Sequence, residues 1–201
     1  GEDQLFGGSG DDKLRGGAAN DSLDGGIGVD VMRGGDGDDV MDGGTENDLM
    51  YGGNDDDDIA GGFGNDEAFG GRGNDRIVGG GNADVLFGGA GDDTILGGSG
   101  SDKISGGKGD DELKGNGGED TFVLNRAAGN DRIVDFEDGT DQIDLSAFGL
   151  RPTDYAGVVA PAISNAGGGA SFIDLAQLGG EGSILIEGLT FGNVDASDFI
   201  L

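Results

Sequence analysis

Gly88-Gly89-Ala90-Gly91-Asp92-Asp93-Thr94-Ile95-Leu96 repeats the pattern of Gly7-Gly8-Ser9-Gly10-Asp11-Asp12-Lys13-Leu14-Arg15, namely G-G-x-G-x-D-x-U-x with U apolar. Working outward from these two, thirteen such units run without insertion from Gly7 to Val123, each opening on Gly. Their sixth positions are Asp12, Asp21, Asp30, Asp39, Asp48, Asp57, Asp66, Asp75, Asp84, Asp93, Asp102, Asp111 and Asp120, and Asp3 holds that place in a truncated unit before them. Their eighth positions, from Leu14 and Leu23 to Leu113 and Phe122, are apolar throughout. A fixed period of this length marks a solenoid. A disordered acidic linker needs residues of a type, whereas here they stand in a register.

The 201 residues include 41 acids, 11 bases, no His and no Cys, for a formal charge of −30. Such a field repels nucleic acid and anionic membrane, and no apolar run reaches the roughly 20 residues of a membrane span. Without Cys there are no disulfides or thiolate metal sites, which leaves oxygen ligands for a hard cation such as Ca²⁺. Without His there is no Ser-His-Asp triad, His-liganded zinc or His base. Paired carboxylates are too abundant to single out a catalytic pair, so the chain reads as non-enzymatic, with no catalytic residue. Gly1 already lies inside a repeat, so the chain reads as the C-terminal piece of a longer protein with a domain upstream.

Gly at positions 1, 2 and 4 admits φ > 0, and the x-U-x triplet suits a short strand with its middle side chain turned inward. Two units then make a coil of 18 residues, and odd and even units build two facing sheets. The fold class is all-β, a parallel β-roll with a column of turns along each side. Each sixth-position Asp stacks on another about 4.8 Å away, at the strand spacing. Two such charges repel by roughly 1 kcal/mol in water and about 3–4 kcal/mol at an effective dielectric of 20. A divalent cation between turns converts that repulsion into folding energy.

The nonapeptide resembles that of the RTX family of secreted bacterial proteins, a calcium-binding repeat. The resemblance implies a right-handed roll in which Asp and the carbonyls of positions 2 and 4 of one turn face Asp and the carbonyls of positions 1 and 3 one coil later. One site is then Gly8, Gly10 and Asp12 facing Gly25, Ile27 and Asp30. Its counterpart on the other side is Gly17, Ala19 and Asp21 facing Gly34, Asp36 and Asp39. Near the end, Gly89, Gly91 and Asp93 face Gly106, Lys108 and Asp111, and Gly98, Gly100 and Asp102 face Gly115, Gly117 and Asp120. Counting the Asp3 turn gives roughly 8–12 Ca²⁺ after end losses. Position 4 departs from Gly at Ala19, Glu46, Asp55 and Asn82, and the sites near Ala19 and Glu46 are expected to be the weak or distorted ones.

Residues 1–123 thus form the roll, and 124–201 a β-rich cap that closes its open end. Strands are expected at Ser171–Leu175 and Ser183–Glu187, and loop across Arg151–Gly169. The stretches Asp131–Phe136 and Ile143–Leu145, and the ending Asp195–Leu201, are similar to the C-terminal regions of type I secreted RTX proteins such as serralysin-type proteases. That likeness implies an uncleaved export signal, type I secretion machinery as a partner, and an extracellular bacterial location. The alternatives are an adhesin or surface-layer segment, and a polysaccharide-binding accessory module of a lyase or epimerase. Finally, Tyr51, Phe69 and Phe87 fall at position 9 of alternate units, so they should stack on the outer face, as a cross-strand ladder or as a docking surface.

Overall fold

A computed structural model describes every residue except Phe191, together with all side chains but that of Pro152. From Gln4 to Gly117 the chain forms thirteen strands of six residues, each running from position 7 of one unit to position 3 of the next. They are longer than the expected triplets. Pairing joins positions 7, 8 and 9, skips position 1, and resumes at 2 and 3, as in Lys13↔Val31, Leu14↔Met32, Arg15↔Arg33, Gly17↔Gly35 and Ala18↔Asp36. The chain therefore turns its corner at position 1 and stays hydrogen-bonded on both sides of it.

Alternate strands lie side by side, parallel, 18 residues apart, and form the two expected facing sheets. The eighth-position side chains, from Leu14 at 9% exposure to Phe122 at 0%, form one thin layer between them. On the outer face Tyr51, Phe69 and Phe87 stack with centroids 5.0 Å apart, and the Arg33 guanidinium covers the Tyr51 ring at 4.9 Å.

Both sheets continue past Val123. Ala127–Ile133 and then Glu181–Glu187 extend the first sheet in parallel, while Gln142–Asp144 and Phe199–Ile200 extend the second. The pairs Leu113↔Ile133 and Phe122↔Ile143 show that the coil persists over a spacing of 20 and 21 residues. In register terms, Leu124-Asn125 is a two-residue insertion before a shifted unit at 126–134. Asp135 is a single insertion before another at 136–144. The expected cap strands are present as Ala170–Asp174 and Glu181–Glu187. The expectation of loop across Arg151–Gly169 is corrected: it holds the helical turns Pro152–Asp154, Tyr155–Val159 and Ala160–Ala162, and the strand Ile163–Gly167. The Pro and Gly residues are punctuation around that strand, and Gly167, Gly168 and Gly169, with φ of 66–85°, turn it back antiparallel onto Ala170–Asp174.

One arginine ties the cap to the roll. Arg132 bridges Glu112 of the last full coil, at 2.9 Å, to Glu187 of the cap, at 2.8 Å. Within the cap, Arg126 donates to the carbonyls of Ala147 and Phe148. Phe199 is buried and lies against Tyr155.

Candidate metal centre

Each sixth-position Asp donates its backbone N–H to Oδ1 of the Asp one coil later. Twelve such bonds run from Asp3→Asp21 to Asp102→Asp120 at 2.7–2.9 Å. From Asp21 onward these residues are no more than 3% exposed. The second oxygen is the informative one. Oδ2 of Asp12, and of every sixth-position Asp from there to Asp111, is buried and has no hydrogen-bond partner. Leaving a buried acceptor unsatisfied costs about 1–3 kcal/mol, and more for a charged group. Burial accordingly pushes the carboxyls of Asp48, Asp57, Asp84 and Asp93 up to about 7, against the lowering effect of the backbone N–H, with the stacked aspartates adding to the rise.

Position 1 makes room for that oxygen. A Cβ on Gly61 would stand 2.6 Å from Asp66 Oδ2 and 2.5 Å from the Gly79 carbonyl one coil later. The same carboxylate stands beside the first glycine of all thirteen units, and in ten of them the next coil's position-1 carbonyl is among the nearest atoms as well. The carbonyls of Gly8 and Gly10 abut Gly26 and Gly28 of the following coil. From the other side, the Gly25 carbonyl lies beside the Asp12 carboxylate, and the Ile27 carbonyl accepts from Gly10 N–H at 2.7 Å. The six groups expected around the first gap, those of Gly8, Gly10, Asp12, Gly25, Ile27 and Asp30, thus line one gap. Among the described residues no three His, Cys, Asp or Glu side chains converge. Each gap offers two carboxylates and otherwise backbone oxygens, a donor set suited to Ca²⁺.

The four departures at position 4 share one distortion. Position-4 glycines take φ of 101–150°, whereas Ala19, Glu46, Asp55 and Asn82 stand at 73–81°. A Cβ confines a residue to the narrow left-handed well, and glycine is free of that limit. Most position-4 glycines donate N–H to the position-3 carbonyl of the next coil, as Gly64 does to Gly81 and Gly91 to Lys108. Among the described residues none of the four substituted turns makes that bond. The distortion therefore reaches Asp55 and Asn82 as well as Ala19 and Glu46.

Two features escaped the sequence reading. The aspartate ladder continues as Asp111 N–H→Asp131 Oδ1 at 3.2 Å and Asp120 N–H→Asp141 Oδ1 at 3.0 Å, and both acceptors are buried. The signal was present in Gly129-Asn130-Asp131-Arg132-Ile133 and Gly139-Thr140-Asp141-Gln142-Ile143, which keep G-x-D-x-U after losing the leading glycines. A second ladder runs the opposite way at position 5, where side-chain oxygens accept the position-5 N–H of the next coil. On one edge it is unbroken through Asn20, Asp38, Asp56, Asn74, Asp92 and Asp110, at 2.7–3.2 Å. On the other, Val29 and Ala83 interrupt it.

A family model described as the RTX calcium-binding nonapeptide repeat (4 copies) matches residues 1–32, 33–68, 61–95, 69–104 and 96–133. No curated protein matches the chain. Among solved structures, the extracellular lipase LipA from Serratia marcescens aligns at 18% identity and a TM-score of 0.45 over all of this chain and 40% of that one. A subunit of the Azotobacter vinelandii mannuronan C5-epimerase aligns at 26% identity and a TM-score of 0.33, covering 78% of each chain.

Proposed function

Since the chain belongs to the RTX calcium-binding nonapeptide-repeat family, we propose that it is a calcium-dependent folding module of a larger exported bacterial protein. The observation that carries this reading is the row of twelve buried, unpartnered Asp Oδ2 atoms, each beside a glycine that leaves it room. A hard cation in each gap supplies the missing partner and neutralises two stacked carboxylates at once. The residues that would hold it are the paired aspartates and the carbonyls of positions 2 and 4 of one turn and 1 and 3 of the next. Eleven of the unpartnered oxygens, from Asp12 to Asp102, lie in gaps within the roll and support a count near the upper end of 8–12 ions. In this reading residues 1–123 are the calcium-binding roll, and 124–201 the cap with its export signal. In a calcium-poor cytosol the −30 chain stays unfolded for the type I export machinery, and it folds on meeting extracellular calcium.

The direct test is far-UV circular dichroism during a calcium titration. The chain should change from coil to β with a steep, saturable dependence on calcium. A fully β-rich spectrum in excess chelator refutes the coupling.

A further inference from the structure

The last unpartnered oxygen, Asp111 Oδ2, belongs to a gap that the perfect repeat does not span. One would expect twelve gaps counted from Asp3, ending at Asp102 and Asp120. The structure has its twelve unpartnered oxygens one step further along, from Asp12 to Asp111. The turn above Asp111 is the shifted unit at 126–134, and it stacks as a full repeat would. Gly109 N–H donates to the Ala128 carbonyl at 3.1 Å, and Arg132 N–H to the Asp111 carbonyl at 2.8 Å. Asn130 N–H donates to Asp110 at 2.9 Å, and the Gly109 carbonyl abuts Gly129. Asp131 is 4% exposed and Asp111 2%.

We propose that this gap is a further cation site, taking a hard divalent ion of calcium's kind between the Asp111 and Asp131 carboxylates and the Gly109 carbonyl. It rests on the calcium reading above and extends it from the roll to the joint with the cap. The corresponding gap on the other column is assigned no ion: Asp120 Oδ2 is not among the buried unpartnered oxygens, and each Asp141 oxygen already has a donor, Asp120 N–H at 3.0 Å and Glu137 N–H at 2.8 Å. The joint site is also weaker than an interior one. Arg126 stands where a repeat has its first glycine, and its carbonyl accepts from Glu181 N–H at 2.6 Å. Interior gaps draw a donor from that carbonyl, as with Gly79 beside Asp66. Because Ala127–Ile133 pairs next with Glu181–Glu187, filling this site fastens the sheet of the cap to the roll.

The test is calcium stoichiometry of the full chain by equilibrium dialysis, comparing the parent with Asp131→Asn and Asp141→Asn, together with hydrogen exchange across 127–133. Asn keeps an oxygen to accept Asp111 N–H and removes the charge. D131N should bind one equivalent fewer, the missing one being the weakest, and lose the calcium-dependent protection of 127–133. D141N should bind as the parent does. A parent that binds calcium while D131N retains every equivalent overturns this site alone, as does a loss in D141N equal to that in D131N. A parent that binds no calcium overturns the calcium reading and the site together. Should D131N fall short of the parent's ellipticity at saturating calcium, Asp131→Glu gives the same readout: a weakened last equivalent supports the site, and an unchanged one overturns it.

Discussion

Between Gly7 and Val123 every buried apolar side chain has a buried or half-buried aspartate as its companion, one of each per nine residues. In the cap the interior is filled by Leu124, Phe136, Phe148, Ile173, Leu175, Ile184, Ile186 and Leu189, with Asp131, Asp141 and Asp198 as its buried carboxyls among the described residues. The roll buries charge that its own atoms leave unpartnered, whereas the cap buries hydrocarbon and joins the roll by continued strand pairing and by the Arg132–Glu112 ion pair. On the proposed reading the first arrangement makes folding conditional on a cation, and the second does not. Chelation should therefore separate the two regions by hydrogen exchange. Amides of the roll, at residues 31–99, should lose several orders of magnitude of protection, and the hairpin Ile163–Gly167 with Ala170–Asp174 much less. Uniform loss over both regions would mean that the cap has no stability of its own.

Acidity should have opposite effects with and without the cation. In the metal-free roll, burial raises Asp48, Asp57, Asp84 and Asp93 to about 7, above their ordinary value of 3.8. The folded state then binds more protons than the unfolded one between those values. Stability from these groups is fully present below pH 3.8 and lost as pH rises through about 7. The chelated chain should accordingly gain β ellipticity on going from pH 8 to pH 4. Calcium needs the same carboxylates ionised, so its affinity should fall over that range. An apo spectrum that does not change between pH 4 and 8 would remove the unpartnered carboxylates from the energetics.

These regions also differ in how far they could be read from sequence. The roll was legible because thirteen copies of one unit average out local ambiguity, and the period alone places Asp12 over Asp30 and Leu14 beside Met32. The cap hid its two extra units behind Leu124-Asn125 and Asp135, since three inserted residues are enough to destroy a strict period while backbone pairing absorbs them. The position-5 ladder was missed because Asp and Asn there read as ordinary turn residues. Their hydrogen bonds cross to the next coil, which no local pattern encodes.

Glycine carries different weight in the two regions. Gly61→Ala puts a methyl against Asp66 Oδ2 and the Gly79 carbonyl, and should destabilise the calcium-loaded chain by about 1–3 kcal/mol, as overpacking does, while weakening calcium binding. Gly157 in the cap has open space on that side, so Gly157→Ala should be neutral or stabilise by about 0.4–1 kcal/mol through the unfolded chain. Equal effects on calcium-saturated Tm would show that the cradle is not confined to the repeat.

The smallest effect concerns the hydrocarbon on the outer face of the roll. Phe87 stacks on Phe69 at 5.0 Å and nearly parallel, and the row beyond it ends at Ser105. Stacked rings of this kind contribute about 0.5–1.5 kcal/mol beyond the area they bury. Phe87→Ser should therefore lower Tm in saturating calcium by a few degrees, at about 2–4 °C per kcal/mol for a chain of this size. Its sedimentation behaviour should be unchanged. The parallel stacking turns ring edges outward, so the row gains most of its contact from its own neighbours along the sheet. An unchanged Tm with a lost self-association would reverse that assignment and make the row a contact surface, leaving the roll held by its ions and inner layer alone.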